Sequence, residues 1–255
     1  MVLSNLFSVY VINMPQQITL PEISFDTISH SDLQTMQKGA ELVIEAHRLL
    51  KKGGVNVVGE CLKDQGTFYE MQHYPKGDVY DNESFCQYYY HNHREDMNEH
   101  GHFHTFMRAG GMQAGMQPVA YDGEVQWPLG NDAISHVICI SMDSAGFPIG
   151  LFATNRWVTG ETWYSCEHVI AMLDTWEIDH AYPNQAVNTW ISGMVKLFKP
   201  QITALLNQRD AVLEDWKNKH PDQDVFEDRR LEVTGEYQIS VEKQHAAVIK
   251  ALSKH

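Results

Sequence analysis

The chain has 255 residues, 43% of them hydrophobic and 11% aromatic, which suffices for a packed core and excludes disordered and fibrous classes. No apolar run approaches the ~18 residues of a membrane-spanning helix, so no membrane partner is expected. Thirty-three acids against 19 bases give a formal charge of −14, which repels a phosphate backbone and argues against nucleic acid as a partner.

Residues 1–30 carry strand-like stretches broken by Pro15 and Pro21. The opening MVLSNLFSVYVINM lacks the basic region and cleavage site of a secretory signal, and the first basic residue is Lys38, so the expected location is cytoplasmic. A capping pattern at Ser31 and apolar positions Leu33, Met36, Ala40, Val43, Ile44, His47 and Leu50 predict a helix that stops at Gly53-Gly54. Residues 67–143 then alternate aromatic and β-branched runs with turn residues, and 134–143 with 148–157 read as a hairpin. From Thr159, placed as a cap, the helical period returns in three segments (Trp163 to Trp176, Val187 to Phe198, Ile202 to Trp216), with a weaker one at about 240–253. This order predicts a single α+β domain over 1–255: an antiparallel sheet within about 55–157, packed against an N-terminal helix and a C-terminal group of helices. Cys61, Cys86, Cys139 and Cys166 lie singly, without zinc-knuckle or disulfide-scaffold spacing, and read as reduced thiols.

Histidine is the unusual residue. Five of the 14, His91, His93, His100, His102 and His104, fall within positions 91–104. If Phe85–Arg94 and His100–Arg108 are antiparallel strands joined by Glu95–Glu99, the period of two sets Gln87, Tyr89, His91 and His93 on one face. His100, His102, His104, Phe106 and Arg108 share that face from the second strand. The expected register puts His93 opposite His102 and His91 opposite His104, with opposed Cβ atoms only ~4.5–5.5 Å apart. Four imidazoles then converge on one ion at bond lengths of roughly 2.0–2.2 Å. Without an ion they would repel when charged and leave lone pairs unpaired when neutral.

All-nitrogen ligation by His91, His93, His102 and His104 suits a divalent transition metal: non-haem iron or zinc first, copper next. The leading expectation is a mononuclear metalloenzyme acting on a small, anionic molecule. Glu99 is its general base or carboxylate ligand, with Glu95 and Asp96 behind it, and Arg108 orients the anion. Tyr89, His100 and Arg156 are expected around the ligands as hydrogen-bonding support. Met97, Met107, Met112 and Met116 add soft donors, so a non-catalytic copper or zinc binding protein is one alternative.

A second alternative rests on His100-Gly-His102-Phe-His104-Thr-Phe106, which is similar in outline to the signature of the histidine-triad nucleotide hydrolases. The resemblance implies a metal-free nucleotide or phosphoester hydrolase with one histidine as nucleophile. Gly101 and Thr105 stand where that family carries hydrophobic residues. Phosphate-loop, dinucleotide, serine-elbow and HExxH patterns find no match.

Overall fold

The computed structural model describes Leu20, residues 22–94 and residues 99–254. The elements in order are α1 (His30–Lys52), α2 (Val57–Leu62), β1 (Tyr74–Tyr80), β2 (Cys86–His91), β3 (Gly101–Arg108), β4 (Ile134–Met142) and β5 (Pro148–Thr154). They continue with α3 (Arg156–Thr159), α4 (Cys166–Met172), α5 (Gln185–Leu197), α6 (Lys199–Lys219), β6 (Val233–Gln238) and α7 (Val241–Leu252). The strands form one six-stranded sheet in chain order, every neighbouring pair antiparallel. With the long N-terminal helix and the helices after β5, this is the expected α+β arrangement.

Helix α1 begins at Ser29, whose hydroxyl accepts a 3.1 Å bond from the Asp32 amide, two residues before the expected cap. It ends where expected, with Gly53 as cap and Gly54 at a φ of 76°. Its buried stripe, Leu33, Met36, Ala40 and Val43, packs on α5. The two helices touch through glycine: a Cβ on Gly39 would stand 2.8 Å from the Gly193 carbonyl oxygen. One face of the sheet, including Tyr88, Tyr90, Phe103, Ile138 and Ile140, is buried in the same core as α1 and α5. The histidines occupy the other face.

Three expectations need correction. Residues 57–62 are helical, because Asn56 caps a short apolar turn there, accepting from the Gly59 amide. The sheet also extends past 157: β6 arrives after the long helices and pairs with β5. Finally, Thr159 does not start a long helix. Asn155 caps the short α3, accepting from the Arg156 amide, and the next helix waits until Cys166, leaving Trp163 in a non-helical segment. No helix among the described residues is long and apolar enough to cross a membrane.

Candidate metal centre

Strands β2 and β3 pair with His91 opposite His102 and Tyr89 opposite His104. The register is therefore two residues away from the expected one. A shift of two preserves side-chain parity, so the same histidines still share a face. His93 lies beyond the end of β2 and reaches the cluster from the adjoining segment. One ring nitrogen from each of His91, His93, His102 and His104 lies within 4.8 Å of the others, so the group could hold a metal ion.

The tightest part is a row of three Nε2 atoms. His102 Nε2 stands 3.0 Å from His91 Nε2 and 3.1 Å from His104 Nε2. Behind it, His102 Nδ1 donates to Glu99 Oε1 at 2.6 Å, which places the neutral ring's proton away from the row. Burial raises the Glu99 pKa, but the His102 hydrogen bond and charge, Ser141 and Arg94 together hold it below the usual value, so it is a carboxylate. His91 Nδ1 and His93 Nε2 are buried and have no hydrogen-bond partner among the described residues. Native interiors rarely leave such atoms unsatisfied.

All the cluster imidazoles are pushed toward the neutral form. Burial lowers the His91 pKa to about 2, with His102 and His93 adding like-charge repulsion. His104 is held well below the usual range by burial and then by His102 and His136. For His102 burial outweighs the Glu99 carboxylate, and for His93 it outweighs Glu232. Neutral imidazoles with free lone pairs are the form that binds metals.

Tyr89 walls the cluster, its ring 5.0 Å from His104 and stacked 3.5 Å from His73 on the outer side. Phe152 closes another side at 5.0 Å from the His102 ring. A cavity of about 220 Å³, lined by Arg94, Glu99, Ser141, Phe152, Glu236 and Gln238, abuts these residues. A larger one, about 680 Å³, lies elsewhere, between α1 and α7.

Other expected residues fall away from the ring nitrogens. Arg108 does not point into the pocket: Phe106 intervenes, and the guanidinium donates to the Asp81 carbonyl at 3.3 Å and lies over Tyr80. Arg94 is the cation beside the cluster, facing Glu99 at 3.4 Å and Glu236 at 3.3 Å. His100 leaves the row, because β3 begins only at Gly101 and His100 turns to Tyr90, Nδ1 to hydroxyl 2.7 Å, and stacks on Phe68. The outline His100-x-His102-x-His104 is thus not one continuous row. Arg156 stands behind Glu161, donating to the Glu161 and Gly160 carbonyls and pairing with Glu227. Met107 is fully buried in the helix-side core, and Met112 and Met116 pack against it. Glu95, Asp96 and Met97 lie outside the described residues.

Sequence reasoning missed a second group. His104, His136 and Cys139 are all buried and also lie close enough to hold an ion. Positions 136 and 139 have opposite parity, so a regular strand would place them on opposite faces. The β3–β4 ladder instead runs Thr105 to Ile138 and Phe106 to His136, leaving Val137 as an extra residue. Thr105 stitches this bulge, donating its hydroxyl to the Ile138 carbonyl at 2.8 Å and accepting from the Ile138 amide at 3.1 Å. His136 and Cys139 thereby join the histidine face. Glu161 anchors the strand there, accepting from the His136 amide at 2.6 Å and from Thr159 at 2.9 Å, and burial raises its pKa to about 7.

A sheet face carrying buried, neutral imidazoles around a common point defines an α+β protein with a candidate metal centre. The chain belongs to the DUF6969 family, a domain of unknown function, whose family model matches residues 37–239 and so contains every residue of this centre. No curated protein and no solved structure matches the chain.

Proposed function

We propose that the protein is a metalloenzyme in which His91, His102 and His104 hold one divalent transition ion and His93 completes or gates the set. The carrying observation is the row of Nε2 atoms at 3.0 and 3.1 Å with Glu99 fixing the tautomer of the middle ring. An ion bonded at ~2.1 Å to two nitrogens so spaced subtends about 90–95°, whereas a tetrahedral pair would need about 3.4 Å. That spacing favours a six-coordinate ion, iron(II) before zinc, with sites left for water or substrate. Glu99 acts through His102 as a positioning residue, since its carboxylate is engaged by Nδ1 and by Arg94.

The substrate is a small molecule that reaches the ion from the cavity bounded by Arg94, Glu99 and Phe152. An ion held by these histidines would supply Lewis-acid chemistry to what enters, while the chain excludes water with Tyr89 and Phe152 and keeps the ligands neutral by burial. A carrier would close all positions with protein donors, and an enzyme must leave one open. Azide added to the Co²⁺-loaded protein tests this: a changed visible spectrum is expected, and a spectrum indifferent to azide and small carboxylates would contradict the enzyme reading.

A further inference from the structure

His104 belongs to both groups, through different atoms. Its Nε2 faces His102, while its Nδ1 stands 3.1 Å from His136 Nε2 and 3.3 Å from Cys139 Sγ. Cys139 Sγ and His136 Nε2 are 3.4 Å apart, so the three donors form a nearly equilateral triangle. With metal–nitrogen bonds of ~2.0–2.1 Å and a metal–sulfur bond of ~2.3 Å, these edges correspond to angles of about 95–105°, within the range of a distorted tetrahedral site.

We propose that His104, His136 and Cys139 form a second, softer metal site, and that His104 bridges the two ions as an imidazolate. The bridge rests on the reading of the first group as a metal site; the triangle stands on its own distances. A neutral imidazole has one N–H and one lone pair, so it can serve one ion only. Binding the second divalent ion therefore releases two protons to solvent, one from the His104 N–H and one from the Cys139 S–H. Bonds form to His104 Nδ1, His136 Nε2 and the thiolate, with no change of oxidation state. Thiolate with imidazole suits zinc or copper better than the all-nitrogen group does.

The test titrates the metal-free full chain with Co²⁺. Two equivalents are expected, one of them bringing a sulfur-to-cobalt band in the near ultraviolet. Filling of both sites with Cu²⁺ should leave a copper resonance weakened by coupling through His104. Absence of the sulfur band in the unaltered protein overturns the second site, and a full, uncoupled signal from two bound Cu²⁺ ions overturns the bridge. Cys139→Ser should lose the band and one equivalent only. His91→Ala separates the two readings: it should lose one equivalent and keep the band, whereas an unaltered protein that binds only the equivalent bringing the band supports the second site and refutes the first.

Discussion

Glu99 holds His102 by the ring nitrogen that faces away from the cluster: its Oε1 lies 2.6 Å from Nδ1, and the Nε2 lone pair is thereby aimed between His91 and His104. The middle donor of the row is thus oriented by a carboxylate that is not itself in the row.

Replacing this carboxylate should weaken the metal without abolishing the site. Glu99→Ala is expected to lower metal affinity by roughly 10–100-fold, the usual cost of losing a ligand's supporting partner, and Glu99→Gln by less. Chelator competition checks this. Equal affinity in all three proteins would remove Glu99 from the account.

Single histidine replacements should separate those in the row from the one that left it. His102→Ala and His104→Ala are expected to lose the ion held by the Nε2 row, whereas His100→Ala, facing Tyr90 and Phe68, retains it. Arg108→Ala should retain it too, since its guanidinium lies over Tyr80. Metal content of the four purified variants decides. Loss in His100→Ala equal to that in His102→Ala would contradict the geometry.

Gly101 is predicted to tolerate no side chain. A Cβ there would stand 2.6 Å from the His91 carbonyl oxygen and from the Tyr90 hydroxyl. Gly101→Ala should therefore separate β2 from β3 beside the His91–His102 pair, costing about 1–3 kcal/mol of stability. Metal affinity should fall with it. Denaturant midpoints measure the first effect and chelator competition the second.

Much of this centre was legible in the sequence because alternation survives a register shift of two: His91, His102 and His104 share a face in the expected and the observed pairing alike. His136 and Cys139 were illegible because their common face depends on the bulge at Val137, which no periodicity announces. Strand β6 was hidden for another reason. Val233-Thr-Gly-Glu-Tyr-Gln is short and carries only two apolar side chains, Val233 and Tyr237, with Gly235 between them, where α6 packs close enough that a Cβ would meet Leu205 at 3.2 Å. Arg108 failed as a pocket residue because parity gives the face but not the distance along it.

Acid should destabilise the metal-free protein. His91 and His136 have folded pKa values of about 2 and 3, both depressed first by burial, against 6.5 for the free side chain. The unfolded chain therefore binds more protons below pH 6.5, and stability falls as pH drops from there toward 3, by at most about 1.4 kcal/mol per pH unit for each histidine. Glu161 opposes this between pH 4.5 and 7, because its raised pKa makes the folded state the better proton acceptor. The histidines outnumber it, so the denaturant midpoint at pH 5.5 should lie below that at pH 7.5. Bound metal should steepen the loss, since protons compete for the same nitrogens.

The histidine face is proposed to hold a transition metal. Elemental analysis of the full chain, purified without chelator and then equilibrated with iron(II) or zinc, tests it directly beside His102→Ala. At least one tightly held ion per chain is expected in the unaltered protein, and one ion fewer in the variant, which keeps the group of His104, His136 and Cys139. Metal well below one ion per chain, or an equal amount in the variant, would contradict it.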